Sequence, residues 1–151
     1  MKRIVVGLAG AQSDLHVVEW VGDLADEMGV HVVAAHFVPR TTLWMIAGAQ
    51  LDSSPYFDEL REHFETGAVG RLRRLAPSVH LHVDLGDAAH ELAALAHTSD
   101  AGLIAIGAPD HSALHDAVFG SVAYRLMHLT DVPVVAVPRP ARTLTVLHGT
   151  G

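Results

Sequence analysis

Short apolar runs alternate with stretches of helical period along this chain, and that alternation constrains its fold more than any other feature. The runs are Ile4–Leu8, Val30–Val38, Val79–Val83, Leu103–Ile106 and Val132–Val137. The first is continuous and suits a strand buried on both faces, whereas VHLHV alternates as a strand with one polar face would. Between them lie helical stripes. Leu15, Val18, Val21, Ala25 and Met28 recur at three- or four-residue steps, behind Ser13 as N-cap and before a terminating Gly29. Phe57, Leu60, Phe64, Ala68, Leu72 and Leu75 form a second stripe, opened by Ser54 as N-cap with Pro55 at the first helical position. Asp87–His97 and Gly120–Leu129 complete the set, while Thr41–Ser54 has no clean period and reads as a mobile loop with at most a short helix. The resulting βαβαβαβαβ order predicts one α/β domain. Its sheet has five strands, is mostly parallel, and carries helices on both faces through right-handed crossovers.

Composition narrows the function classes. The chain has 151 residues, half of them hydrophobic and 18% charged, which suits a compact core and excludes disorder. A net charge of −7 opposes binding to nucleic acid or to an anionic membrane, both of which need clustered Lys and Arg. With no cysteine there is no disulfide, thiolate nucleophile or Cys-based zinc site. Met1-Lys-Arg followed by only IVVGLAG does not match a signal peptide, and no apolar run reaches the roughly 18 residues of a membrane span. A cytoplasmic protein is the expectation.

In an open parallel sheet the ligand site lies beyond the carboxyl ends of the strands, where their order reverses. That points to the loops after the first and fourth strands. The first reads GLAGAQS (7–13) and the second GAPDHSALHDAVFGSVA (107–123). In the second, Gly107 lets backbone approach a ligand closely, and Gly120-Ser121 opens a helix whose free N–H groups attract an anion, with Val122 next on it. Glycines after a strand and at a helix start also serve ordinary turns and caps, so these residues alone leave phosphate binding open.

The run from Leu103 to Val137 resembles the carboxyl-terminal half of a universal stress protein domain. That family's nucleotide motif is Gly, two residues, Gly, nine residues, then Gly and Ser or Thr. Gly107 and Gly120-Ser121 match its ends at the right spacing. Ile4-Val-Val-Gly7, His36-Phe-Val38 and Val83-Asp-Leu-Gly86 are similar to the family's other strand ends, so the resemblance covers residues 2 to 138. It implies a Rossmann-type three-layer sandwich of the adenine-nucleotide alpha-hydrolase-like kind over residues 1–138, leaving 139–151 as a carboxyl-terminal extension; the apolar pattern of Leu144–Leu147 itself reads as a further edge strand. It also implies a homodimer paired through the last strand, with Val132, Val134, Val135, Ala136 and Val137 at the interface. Many members bind ATP or another adenine nucleotide, and others do not.

Three departures fall on the ligand side. The motif's second glycine is Asp110, whose charge would face a polyphosphate; like charges about 4 Å apart repel by about 4 kcal/mol at an effective dielectric of 20. Where ATP-binding relatives carry an aspartate and a serine after the first strand, this chain has Ala9 and Ala11. The loop middle, usually rich in Gly and Arg, is His111-Ser-Ala-Leu-His115-Asp116. Gly107, Gly120, Ser121, Val122, Ala9 and an apolar lip at Phe37 and Val38 remain as candidate cofactor contacts. Asp110 either excludes a triphosphate or holds the Mg²⁺ that accompanies one.

Twelve histidines raise the question of metal. His80 and His82 share a strand face, and His111 and His115 flank Asp110 and Asp116, but no third ligand is fixed by spacing, so no metal is expected. At mildly acidic pH, His111 and His115 would charge and offset the two aspartates, making anion binding pH-sensitive. There is no P-loop, no Gly-x-Ser-x-Gly elbow and no cysteine, so an enzyme is not expected, slow hydrolysis of a bound ATP aside. Tyr124 reads as a packing or rim residue. Two readings follow. One is a dimeric stress protein with weak or absent ATP binding that acts through an unknown protein partner. The other is an adenine-nucleotide module, for ATP or AMP, built on Gly107 and Gly120-Ser121.

Overall fold

A computed structural model describes residues 1–10, 14–47, 52–108 and 119–138. The strands are β1 (Arg3–Gly7), β2 (His31–Val38), β3 (Val79–Leu85), β4 (Leu103–Gly107) and β5 (Val134–Val137). They pair in parallel throughout, in the order β3-β2-β1-β4-β5. β1 is central, which explains its continuous apolar run: Ile4, Val5 and Val6 are wholly buried because both faces are covered. β3 lies at an edge and leaves His80 and Asp84 exposed.

Successive residues of each strand point to opposite faces, and two cores result. Ile4, Val6, Val32 and Ala34 pack with Val17, Val18 and Val21 of helix α1 (Asp14–Met28). Phe64 of α3 (Ser54–Thr66) and Leu72 of α4 (Ala68–Leu75) join the same core. Val5, Val33, Ala35 and Phe37 pack with Leu92 of α5 (Ala88–Thr98) and Leu126 of α6 (Phe119–Leu129). The expected sandwich, with helices on both faces, is therefore present.

Several local expectations change. Residues 40–47 form a helix, α2 (Arg40–Ala47), in the stretch expected to be mainly loop. Its Trp44, Met45 and Ile46 are exposed, so the segment's apolar content does not enter the core, and its buried period is missing for that reason. The stripe from Phe57 to Leu75 is two helices broken at Gly67. There the Thr66 hydroxyl donates back to the carbonyls of Glu62 and His63, the Gly67 backbone leaves helical geometry (φ −105°, ψ −110°), and a new helix starts. The stripe keeps its phase across the break, so periodicity did not reveal it. The cap of α3 is Ser53 rather than Ser54, and the Ser54 N–H is satisfied by the Asp52 carboxylate at 3.0 Å. On α1, Leu15 and Met28 are exposed, and the buried face runs through Val17, Val18, Val21, Gly22 and Ala25. The final strand begins two residues later than expected, at Val134. Ser13 and residues 139–151, including Leu144–Leu147, lie outside the described residues.

Candidate functional site

The strand order reverses between β1 and β4. The connection from β1 leads to β2 on one side, whereas β4 returns to the other side of β1, with Gly7 opposite Ile106. A cleft of about 400 Å³ opens at these carboxyl ends.

The cleft is built from strand ends and two helices. Its lining includes Gly7, Leu8 and Ala9 after β1, His36 and Phe37 of β2, Pro39, Ala88 and Leu92 of α5, Ile106 and Gly107 of β4, and Val122 of α6. A Cβ on Gly7 would come within 2.9 Å of Leu92 Cδ1 and 3.2 Å of Ile106 Cγ2, so only a glycine leaves the floor this open without moving either neighbour. The walls are mainly apolar and suit a flat ring.

The polar groups are few. Asp14, first residue of α1, also lines the cleft and is only 3% exposed. Its carboxylate accepts the Ala9 N–H at 2.9 Å and the Gly10 N–H at 2.8 Å. Gly10 takes a left-handed backbone (φ +87°), which turns the loop back on the helix. His36 donates from Nδ1 to the Leu8 carbonyl at 2.8 Å; a carbonyl only accepts, so the proton sits on Nδ1. Its ring lies 4.9 Å from that of Phe64. Among the described lining residues Asp14 is the single charged group, and none is Lys or Arg.

The nearby cation is already engaged. Arg125 of α6 grips Asp87 with two hydrogen bonds, at 3.0 and 2.7 Å, while Asp87 caps α5 by accepting the His90 N–H at 3.1 Å. The Arg125 guanidinium holds the Asp87 carboxyl below the usual carboxylate range, with the His90 N–H adding to the effect. This clamp ties α6, which carries Val122, to the cap of α5, which carries Ala88.

Of the residues singled out from the sequence, Ala9, Phe37, Gly107 and Val122 come together at the cleft. Gly120 and Ser121 lie in the first turn of α6. Asp110, His111, His115, Asp116 and Ala11 fall outside the described residues. Val38, expected beside Phe37 at the lip, points to the opposite face of β2 and is buried. His82 packs 5.6 Å from the Phe37 ring, and no three His, Asp or Glu side chains gather as a metal site among the described residues. Tyr124 is exposed and stacks on His128.

Sequence reasoning missed Asp14 and His36. A signal for each exists. Asp14 is an acid four residues beyond Gly10 at a helix start, within reach of the loop amides, and His36 is a polar residue near the carboxyl end of a largely apolar strand.

The five residues expected at the last-strand interface divide unevenly. Val137 belongs to the α1-side core and Val135 packs against it, while Val132 and Val134 pack against the other core. Ala136 alone is exposed. The Pro133 and Val137 carbonyls accept from Ile104 and Ala108 of the β4 side at 2.9 and 2.7 Å, so the backbone groups of Val134 and Ala136 face outward. What this edge offers is mainly backbone left unpaired among the described residues.

The model of the Universal stress protein family matches residues 1–138. Among solved structures the chain is similar to a universal stress protein in complex with cAMP, at 21% identity and a TM-score of 0.68, covering 92% of this chain and 98% of that one. It is similar to the universal stress protein from Archaeoglobus fulgidus in complex with dAMP, at 21% identity and a TM-score of 0.67, covering 91% and 98%. A protein of the universal stress protein family from Burkholderia pseudomallei shares 25% identity at a TM-score of 0.63, covering 93% and 96%. No curated protein sequence matches the chain.

Proposed function

The chain belongs to the universal stress protein family, and on that premise we propose that it works as a homodimeric, non-enzymatic stress protein of the cytoplasm that binds ATP weakly or not at all and acts through contacts with another protein. The observation that carries this is the charge of the cleft. Its described lining holds one carboxylate and no Lys or Arg, Arg125 is held by Asp87, and the sequence between Gly107 and Gly120 supplies two aspartates and no Lys or Arg. A triphosphate would meet like charge on entry, with no Lys or Arg among the described lining residues to offset it.

Dimerisation is supported by the β5 edge, unpaired among the described residues, and by α6, which packs beside it and exposes Tyr124, Met127 and Leu129. An unpaired edge next to exposed apolar side chains is a surface that association would cover.

A second reading draws on the shape of the cleft. About 400 Å³ with mainly apolar walls fits the base and sugar of a small adenine nucleotide such as AMP or cyclic AMP, and two relatives were crystallised with ligands of that size. Titration calorimetry of the purified protein with Mg-ATP, ADP, AMP and cyclic AMP separates the readings. The expected result is no tight ATP binding, with any affinity confined to the monophosphates. Micromolar ATP affinity that is abolished by Gly120→Val would overturn the primary reading.

A further inference from the structure

We infer that Arg61, Arg73 and Asp84 seal the β3 edge of the sheet against strand addition, so that a second copy of this chain can join the sheet at β5 alone and assembly closes at a pair. This rests on the reading above that two copies associate through β5. A sheet with two open edges has no reason to stop there. The β5 edge of one copy can meet the β3 edge of the next, and head-to-tail contacts of that kind run on into filaments unless they close into a ring.

Among the described residues the two edges are β3 and β5. At β3 the Val32 N–H donates to the Ser78 carbonyl, and the Gly86 N–H donates to the Val38 carbonyl. Backbone groups alternate in direction along a strand, so the even-numbered residues of β3 pair with β2, and the groups of Val79, Leu81, Val83 and Leu85 face outward. Three of these four residues have a group already engaged. Arg73 Nη1 donates to the Val79 carbonyl at 2.5 Å, and Arg61 Nη2 donates to the Val83 carbonyl at 3.3 Å. The Leu85 N–H donates to Asp84 Oδ1 at 2.7 Å. Arg73 is itself held, because its Nε and Nη2 donate to the two oxygens of Glu65 at 3.0 and 2.8 Å.

An arriving strand needs a donor and an acceptor at every second residue. Among the described residues of β3 it meets both only at Leu81, between two capped neighbours. To pair further it must displace a guanidinium from a carbonyl and strip water from three charged side chains, which one isolated pair of hydrogen bonds does not offset. The β5 edge is the opposite case. The backbone groups of Val134 and Ala136 face outward, and no side chain of the described residues bonds to them. The two edges therefore differ in what is seated on the backbone, and only one is left for a partner.

Sedimentation velocity on the full chain is the test. With Arg61→Ala, Arg73→Ala and Asp84→Ala combined, species larger than a dimer should appear and grow with concentration, whereas the unaltered protein goes no further than the dimer. Hydrogen exchange locates the new contact: the Leu81 and Val83 amides, unpaired in the unaltered protein, should become protected in the larger species. Far-UV circular dichroism and the unfolding midpoint report whether the variant is folded. Should it unfold, Arg61→Ala with Asp84→Ala leaves the Arg73–Glu65 pair in place and carries the same expectation. A folded variant that grows no larger than the unaltered protein overturns the sealing of β3, and so do larger species whose Leu81 amide still exchanges freely. Ala136→Lys separates this from the reading beneath it. If that change leaves the unaltered dimer intact, β5 is not the interface and the closed pair falls with it, while protection at Leu81 still decides whether β3 is sealed.

Discussion

At the scale of single residues, Asp14 carries the loop that shapes the cleft. Buried carboxylates are stabilised by the donors they meet, and Asp14 meets two backbone N–H groups and no cation among the described residues. Asp14→Ala would leave both amides without an acceptor. The chain should lose about 2 kcal/mol of stability, read as a lower midpoint in urea denaturation. An unchanged midpoint would mean that water replaces the carboxylate at no cost. Asp14 was legible in the sequence only as an acid at a helix start. Its inward turn depends on the Gly10 backbone and on α1 packing against the strands, neither of which a one-residue pattern encodes.

At the scale of elements, close helix contacts and ion pairs decide the outcome. Gly22 lies inside α1, where alanine would normally gain about 1 kcal/mol in helix propensity. A Cβ there would sit 2.6 Å from Leu75 Cβ of α4, an atom fixed to the neighbouring backbone, so the helices would have to separate. Overpacking of that kind costs about 1–3 kcal/mol, and Gly22→Ala should therefore lower the melting temperature. Two bidentate pairs join helices: Arg73 with Glu65 spans the break between α3 and α4, and Arg125 with Asp87 joins α6 to α5. The depressed Asp87 carboxyl contributes stability that is present above its unfolded value near 3.8 and is lost as pH falls through its lower folded value. Asp87→Asn should accordingly flatten the decline in melting temperature below about pH 4. Both partners are nearly half exposed, so the effect should be modest and should shrink in high salt. An acid profile identical to that of the unaltered protein would assign the clamp no energetic role.

At the scale of the whole molecule, the open question is association through β5. A charge at Val135 would be a poor probe, because that side chain packs against the α1-side core and its loss would damage the monomer. Ala136 is the better position: it is exposed, and its backbone groups face away from β4. Ala136→Lys should shift a dimer towards monomer in sedimentation velocity, with the unfolding midpoint of the monomer kept within about 0.5 kcal/mol of the original stability. A dimer that persists would place the interface elsewhere.

The sequence by itself determined the alternation of strands and helices, the parallel sheet and the stretches that leave its carboxyl edge. These are written in local periodicity and in glycines at element ends such as Gly7, Gly29 and Gly107, which act within a few positions of themselves. The resemblance to the family added the expected motif positions. Only the tertiary structure decided which strands are neighbours, that the stripe from Phe57 to Leu75 is two helices, and that β5 exposes Ala136 rather than its valines. It also decided that the cleft is lined by Asp14 and His36 as well as by Ala9, Phe37, Gly107 and Val122. Those outcomes depend on contacts between residues far apart in the chain, such as His36 with Leu8 and Arg125 with Asp87. Periodicity records which face of an element is buried, but not the partner that buries it.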